Sequence, residues 1–322
     1  MSKFQLLSRP LGAIERFVIQ CSSGAELEIL SGHGAGLNAW RVANASGMLN
    51  LLYGYTDEAV FRKIQADTSA GVRLSPFAGR TNNAKWQLNG RSYFLDNNVS
   101  WAPHALHGLL HTKPWRFISF KEENDFAELT LAYDYLGSHQ GFPFPYRAET
   151  RFQFSGLSFQ VISTVTNRGV TPMPYSEGYH PYYSLNTRID ELEMKLPSVK
   201  RVLLDNQDIP TGNYENENRF ENKALIKEAQ INDCFMIEGL FKKAVMSLNN
   251  PKNGDFLEVW QDSNYKGIQI YTPPGRHSIA IEPMTHEPDV LNHHRDLLII
   301  APGESLSFSF GSCYSSFVQK PL

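Results

Sequence analysis

The dominant pattern along the chain is an alternation of apolar and polar residues with a period of two. In the segment 146–154, Tyr146, Ala148, Phe152 and Phe154 fall on one side, and arginine, glutamate and glutamine residues separate them. Successive side chains of a strand point to opposite faces of a sheet, so this pattern predicts a half-buried β-strand. The segment 305–310 shows the same alternation, and 127–133 and 256–260 are similar, shorter runs.

Turn-forming residues separate these predicted strands. They are Asn89-Gly90, Gly141-Phe142-Pro143, Asn253-Gly254 and Pro273-Pro274-Gly275. Such pairs and triplets favour tight connections between strands. The sequence predicts one helix of any length, over 221–229, as a short insertion. Many short strands without a linker or an internal repeat predict an all-β fold, a sandwich or barrel, in a single domain over 1–322.

Composition and charge exclude several classes of function. The 322 residues include 30 Lys and Arg against 33 Asp and Glu, a net charge of -3. The basic residues are scattered, so no nucleic-acid surface is expected. No apolar run approaches the roughly 18 residues that a membrane helix needs. The N-terminal segment carries Glu15 and Arg16 and does not resemble a signal peptide.

The number and spacing of the cysteines bear on the redox state of the compartment in which the protein resides. Cys21, Cys234 and Cys313 are an odd, widely spaced set that fits neither a disulfide framework nor a zinc site. We therefore expect buried free thiols and a reducing, cytoplasmic location. The chain has no phosphate-binding loop and no dinucleotide-binding fingerprint, so no cofactor is expected.

Two segments contain histidines that packing alone does not require. His104, His107 and His111 lie close together in sequence, but their spacing matches no helical metalloprotease motif and no carboxylate is interleaved, so no metal is expected. His180 stands among four tyrosines and two prolines of the segment 174–183. Aromatic rings can lie against the apolar face of a sugar, and imidazole readily exchanges a proton near neutral pH.

Other candidate residues are charged or carry amides. Arg80 follows an apolar pair in a loop with Gly and Asn, which suits a guanidinium that contacts a ligand. Glu282 ends an apolar run that predicts a buried strand, so its carboxylate must be paired, hydrogen-bonded or functional. Asp233 lies in an otherwise apolar segment, and Gln269 lies in a predicted strand.

Taken in order, these segments resemble the aldose 1-epimerase (galactose mutarotase) family over most of the chain. The segments that carry the resemblance are Ala78-Gly79-Arg80, Leu106-His107-Gly108, Thr166-Asn167 through Gly178-Tyr179-His180-Pro181-Tyr182, Leu204-Asp205-Asn206 to Pro210-Thr211-Gly212, Asp233-Cys234-Phe235, Gln269-Ile270-Tyr271-Thr272 and Ile281-Glu282-Pro283-Met284-Thr285. The chain departs from the family pattern at Gly79, at Gly178-Tyr179, at Ser184 and in the loop 109–112.

The resemblance implies a large antiparallel β-sandwich of the galactose mutarotase type with a sugar in an open cleft. It implies that Glu282 is the general base and His180 the general acid. It further implies that His107, Arg80, Asp233 and Gln269 bind the substrate, a small sugar of the glucose or galactose type.

Three other functions stay open at this point. Arg80 could meet the phosphate of a hexose phosphate. A glycoside hydrolase could use Glu282 and Asp233 as its pair of carboxylates. A non-catalytic sugar-binding protein could be built on the same fold. The sequence does not indicate the oligomeric state.

Overall fold

The computed structural model describes residues 3–44 and 47–316. This part of the chain forms 28 β-strands, two α-helices and two single 3₁₀ turns. The first half contains β1 (Phe4–Ser8), β2 (Phe17–Cys21), β3 (Glu26–Leu30), β4 (Gly36–Asn44), β5 (Gly47–Asn50), β6 (Arg73–Leu74), β7 (Arg80–Thr81), β8 (Lys85–Leu88), β9 (Arg91–Phe94), β10 (Ala105–Leu106), β11 (Arg116–Glu122), β12 (Ala127–Tyr135), β13 (Tyr146–Phe154) and β14 (Ser158–Asn167).

The second half contains β15 (Met173–Tyr175), β16 (Gly178–Tyr179), β17 (Tyr182–Tyr183), β18 (Glu193–Lys195), β19 (Val199–Leu204), β20 (Pro210–Glu217), β21 (Ala224–Leu225), β22 (Asn232–Ile237), β23 (Lys243–Asn249), β24 (Asp255–Asp262), β25 (Gly267–Tyr271), β26 (Ile279–Met284), β27 (Leu298–Ile300) and β28 (Ser305–Ser316). The helices are α1 (Glu58–Thr68) and α2 (Val290–His293), and the 3₁₀ turns are Asn82–Ala84 and Ile189–Glu191. Among the residues described, no helix is long and apolar enough to cross a membrane.

Three large antiparallel sheets make up the architecture. The N-terminal sheet has the order β1-β2-β3-β4-β5. A nine-stranded sheet has the order β11-β12-β13-β14-β28-β24-β23-β18-β21. The third has the order β20-β19-β22-β25-β26-β16-β6, and β17 also pairs with β26. The prediction of an all-β, antiparallel sandwich is confirmed.

The sheets pack through apolar inner faces. Tyr179 of β16 meets Phe310 of β28 with ring centroids 5.1 Å apart, which joins the two largest sheets. Trp40 of β4 lies edge-on to Phe159 of β14, and its indole donates a hydrogen bond to the carbonyl of Gly156. One buried apolar cluster therefore runs through all three sheets, from Phe4 to Tyr314.

The predicted alternation matches the observed burial. In β13, the residues from Tyr146 to Phe154 alternate strictly between buried and partly exposed. The predicted runs 305–310, 127–133 and 256–260 lie within β28, β12 and β24. The turn at Asn89-Gly90 joins β8 to β9, and the turn at 273–275 joins β25 to β26.

The predicted helix over 221–229 is wrong. Residues 224–225 instead form β21, which pairs with β18, and the amide of Ile226 donates to the carbonyl of Leu192. Lys227 then adopts a left-handed conformation with φ of 52°. Pairing with the neighbouring strand therefore prevails over the local helix propensity of this segment.

The longest helix, α1, was not predicted. Asp57 caps its N-terminus by accepting a hydrogen bond from the amide of Val60, and Ser69 ends it in a left-handed conformation. None of its residues is fully buried.

The expectation of buried thiols is corrected in part, because Cys234 is buried but Cys21 is partly exposed and Cys313 is exposed.

Candidate functional site

An open cleft lies on the face of the β22-β25-β26 sheet that points away from the nine-stranded sheet. Strand register determines which side chains share this face. Gln269 of β25 lies directly opposite Glu282 of β26 and Cys234 of β22, and residues directly opposite each other in paired strands point to the same face. The alternate residues Ile268, Ile270 and Ile281 are fully buried in the apolar cluster on the other side. The cleft has a volume of about 360 Å³, and its wall includes Arg80, His107, His180, Gln269 and Glu282.

Glu282 and His180 form the most deeply buried polar pair in this wall. His180 Nε2 lies 3.3 Å from Glu282 Oε1, and the two side chains are only 8% and 3% exposed. Glu282 stands in β26, whose six residues are all buried. The backbone of His180 is fixed to the segment just before strand β6, because its amide donates to the carbonyl of Val72 and its carbonyl accepts from the amide of Gly71.

Burial disfavours the charged form of both groups. It raises the pKa of Glu282 well above its usual value, and the positive charge of Arg80 acts in the opposite direction. Burial lowers the pKa of His180 to about 4. At neutral pH the imidazole of His180 is therefore neutral, and desolvation favours the carboxylic acid of Glu282 over its carboxylate. Because the two groups lie within proton-transfer distance, they titrate as a unit.

Two further aromatic side chains surround His180. The ring of Tyr182 stacks on it with centroids 5.0 Å apart, and the ring of His107 meets it edge-on at 5.2 Å. Burial is the main cause that lowers the pKa of His107 well below its usual value, so His107 is neutral. The family resemblance implies that His107 binds the substrate, and the structure brings it beside His180 in the cleft.

The backbone around His107 is unusually constrained. His107 itself has φ of 62°, and its amide donates to the carbonyl of Gly79. Gly108 follows with φ of 77°, and a Cβ at this position would lie 2.3 Å from the carbonyl oxygen of Ser75. A glycine is therefore required here so that the loop can pack against Ser75, directly after β6, and hold His107 in the cleft.

Arg80 lies at the rim of the cleft and is already partnered. Its Nη2 atom donates to Asp208 Oδ2 at 3.0 Å, and its guanidinium lies 5.4 Å from the centre of the Trp101 ring. Trp101 is 58% exposed, and both Trp101 and Asp208 line the cleft. The sequence analysis gave neither residue a role. Trp101 lies in no strand or motif, and Asp208 lies within the segment 204–212 that carries the family resemblance, but that segment did not single it out.

The structure separates Asp233 from the other predicted site residues. Asn232 lines the cleft and accepts a hydrogen bond of 3.1 Å from Gln269 Nε2. Asp233, the next residue of β22, lies on the opposite face, where Arg201 Nη1 approaches its Oδ1 at 3.4 Å. Adjacent strand residues face opposite ways, so only one of the two can reach the cleft.

The structure also places histidines near carboxylates outside the cleft. Ligand atoms of His286, Glu287 and His293 lie within 4.8 Å of one another, the one such group among the residues described. Arg295 Nη2 forms an ion pair with Glu287 Oε1, so the charge that would attract a cation is already neutralised. The three closely spaced histidines do not form a cluster of this kind, and His104 Nε2 instead contacts the carbonyl of Gln207.

Comparison with known proteins gives a family match over most of the chain. The family model described as aldose 1-epimerase matches residues 17–311. The protein YphB of Escherichia coli (strain K12), itself described as uncharacterized, is 30% identical over 254 residues, which cover 72% of this chain and 79% of YphB.

Solved structures show the same fold at low sequence identity. A galactose mutarotase-like protein from Clostridium acetobutylicum superimposes with a TM-score of 0.87 at 16% identity, covering 98% of this chain and 99% of that one. Galactose 1-epimerase from Lactobacillus acidophilus NCFM superimposes with a TM-score of 0.80 at 13% identity, with coverage of 98% and 99%. The sandwich is thus of the galactose mutarotase type, and because the family model spans nearly all of the sequence, the chain belongs to the aldose 1-epimerase family.

Proposed function

We propose that the protein is an aldose 1-epimerase that interconverts the α and β anomers of a free aldohexose of the glucose or galactose type. The observation that carries this proposal is the Glu282–His180 pair, 3.3 Å apart and nearly inaccessible to solvent in the wall of an open cleft. Anomer exchange requires one group that accepts a proton and one that donates a proton on the two sides of the C1–O5 bond. The pair supplies both.

The reaction proceeds through ring opening. Glu282 takes the proton of the C1 hydroxyl, and His180 donates a proton to the ring oxygen. The C1–O5 bond breaks with its electron pair passing to O5, which leaves an aldehyde at C1. Rotation about C1–C2 presents the other face, and the same steps in reverse close the ring as the other anomer. The pair holds one proton before and after turnover, so no external acid or base is consumed.

The pair must reach its reactive protonation state when the sugar binds. In the empty cleft, burial favours the proton on Glu282. Sugar hydroxyls that donate hydrogen bonds to the carboxylate stabilise its charged form, and the positive charge of Arg80 already lowers the pKa of Glu282. The proton then passes across the 3.3 Å contact to His180.

The remaining residues of the cleft bind and orient the sugar. His107, Arg80 and Gln269 each line the cavity and carry polar groups. A polar group that the wrong epimer leaves without a partner penalises binding, so these contacts select among aldoses.

The alternatives receive less support from the geometry. Arg80 is the one lysine or arginine among the cleft-lining residues, and it is paired with Asp208, so no free cation awaits a phosphate. A hydrolase that uses Glu282 and Asp233 would need both carboxylates in one cleft, whereas Asp233 lies on the other face of the sheet beside Arg201.

The test is the optical rotation of freshly dissolved α-glucose and α-galactose with and without the purified protein. We expect a faster approach to the equilibrium rotation. The variants Glu282→Gln and His180→Asn should each lower kcat by roughly a hundred- to ten-thousand-fold, because each removes one partner of the proton exchange.

Matched control variants exist at exposed positions. Glu304→Gln and His277→Asn make the same chemical changes at exposed residues and should leave kcat unchanged. If the purified protein accelerates the mutarotation of no free aldose, the proposed function is refuted. If Glu282→Gln and His180→Asn retain parental kcat, the assignment of the catalytic pair is refuted.

A further inference from the structure

An ion pair between Arg73 and Glu177 lies between the two largest sheets, and the proposed reaction makes no use of it. Both side chains are completely buried, and neither belongs to the wall of the cleft. Burial acts to lower the pKa of Arg73, but the negative charge of Glu177 raises it well above its usual value, so the guanidinium stays charged. A buried ion pair adds little net stability compared with apolar side chains of similar volume, because both charges lose their hydration. Its presence here therefore needs a reason other than stability.

The side chain of Arg73 fastens strand β6 to the nine-stranded sheet. Its Nη1 atom donates to the carbonyl of Glu149 in β13 at 2.9 Å and to Thr150 Oγ1 at 3.2 Å. Its Nη2 atom contacts the carbonyl of Thr164 in β14 at 3.4 Å. Strand β6 has only two residues, so its backbone ladder with β16 is short. The position of β6 thus depends on the contacts of this guanidinium.

Strand β6 in turn holds both histidines of the cleft. The segment just before it exchanges two backbone hydrogen bonds with His180. The carbonyl of Ser75, directly after it, accepts hydrogen bonds from the amides of Leu109 and Leu110, which follow His107 in the loop. A displacement of β6 would therefore move His180 and His107 together.

The backbone of Glu177 connects the segments that carry the two catalytic residues. Glu177 lies three residues before His180. Its carbonyl accepts from the amide of Thr285 at 2.9 Å, and its amide donates to Thr285 Oγ1 at 3.1 Å. Thr285 directly follows β26 and lies three residues after Glu282. These two bonds therefore set the position of one catalytic segment relative to the other.

The carboxylate of Glu177 has a hydrogen-bond donor on each oxygen. Tyr265, in the connection between β24 and β25, donates to Oε1 at 2.6 Å. Tyr175 donates to Oε2 at 2.7 Å, and Arg73 donates to the same oxygen. Hydrogen bonds in a buried polar network strengthen one another, so the network holds Glu177 in one orientation.

We propose that Arg73 and Glu177 are positioning residues, which hold His180, His107 and Glu282 in the geometry that anomer exchange requires. The proposal rests on the proposed function, because that reaction needs the acid and the base on the two sides of the C1–O5 bond. A displacement of about 1 Å can lower the rate of such a reaction by roughly a hundred-fold. An ion pair that adds little stability is explained if it fixes this geometry.

The experiment replaces both partners at once, in a double variant with Arg73→Met and Glu177→Leu. It removes both charges at similar volume, so the protein should still fold. We expect kcat, measured by optical rotation with glucose, to fall roughly ten- to a hundred-fold, while KM stays within about two-fold of the parental value. A loss of stability alone would change neither constant per folded molecule.

A second ion pair provides the matched control. Arg276 Nε donates to Asp190 Oδ1 at 2.8 Å, and this guanidinium also bonds to the carbonyls of Lys227 and Ala229, outside the cleft wall. The double variant with Arg276→Met and Asp190→Leu makes a closely similar exchange and should keep the parental kcat.

Two single variants make a milder comparison that does not depend on the folding of the double variant. Tyr265→Phe removes the donor to Glu177 Oε1 and should lower kcat roughly three-fold at constant KM. Tyr314→Phe removes a tyrosine hydroxyl that donates to Asp255 Oδ1 over the same distance of 2.6 Å, and it should leave kcat unchanged.

The proposal is refuted if the folded double variant keeps the parental kcat, or if its loss of activity lies in KM alone. If the double variant does not fold, equal kcat values for Tyr265→Phe and Tyr314→Phe refute it instead. Should the parent protein turn over no aldose, the proposed function fails separately. The imidazole NMR signals of His180 and His107 then decide: they must shift in Tyr265→Phe and not in Tyr314→Phe, and unchanged signals in Tyr265→Phe refute the positioning role.

Discussion

At the scale of single residues, the position of a side chain on one face of a strand decides its role. The residues Glu282, His180, His107, Arg80 and Gln269 could be named from the sequence, and the structure brings all five to one cleft. Asp233 could also be named, but the sequence does not show which of two adjacent polar residues of β22 faces the ligand. A shift of one residue reverses the face, so only the strand pairing resolves this choice.

The geometry predicts different outcomes for Asn232 and Asp233. Asn232→Ala should raise KM for the preferred aldose roughly two- to ten-fold, because it removes one neutral hydrogen-bonding group from the cleft. Asp233→Asn should leave KM unchanged, because its carboxylate faces Arg201 on the other side of the sheet. Initial rates by optical rotation give both values. An increase of KM in Asp233→Asn alone would restore the role that the family resemblance assigned to Asp233.

At the scale of elements, strands were predictable and helices were not. The alternation in 146–154 corresponds directly to the burial of β13, because one face of that strand is buried and the other is partly exposed along its whole length. The helix α1 has no fully buried residue, and its few large apolar residues, Val60, Phe61 and Ile64, do not by themselves distinguish a helix from a strand. The segment 221–229 has helix-forming residues, but its pairing with β18 is a long-range contact that local sequence does not reveal.

The stability of α1 should depend on its cap. Asp57→Ala removes the side chain that accepts from the amide of Val60, and we expect amide hydrogen exchange in 58–68 to become roughly five-fold faster. Asp57→Ser is the matched control, because serine caps a helix about as well as aspartate. The midpoint of thermal unfolding should not change, because α1 buries no residue completely. A large fall in that midpoint would show that the helix is part of the cooperative core.

At the scale of the whole molecule, we propose that 1–322 unfold as one unit. The largest buried apolar cluster passes through all three large sheets, and the two smaller clusters draw on strands of these same sheets. Fluorescence and far-ultraviolet circular dichroism should therefore report coincident unfolding transitions. Two separated transitions would contradict a single domain.

Lowering the pH should destabilise the folded protein at pH values well above those at which most carboxylates titrate. Burial lowers the pKa of His33, His111, His180 and His293 to about 4 in the folded protein. The unfolded chain binds these protons near pH ~6.5, so the unfolded state is favoured as pH falls from about 6.5 to about 4. Glu282 acts in the opposite direction, because its raised pKa lets the folded state keep a proton that the unfolded chain releases.

These four histidines, together with His107, outnumber Glu282, so unfolding takes up protons near pH 5. The free energy of unfolding in urea should therefore be clearly lower at pH 5 than at pH 7, and its slope against pH gives the proton uptake. Replacing His33 by Gln should reduce that slope by about one proton, since its neutral ring is buried against Phe61. A free energy independent of pH between 5 and 7 would mean that these imidazoles accept protons in the folded state, and the neutral His180 inferred for the resting cleft would then be wrong as well.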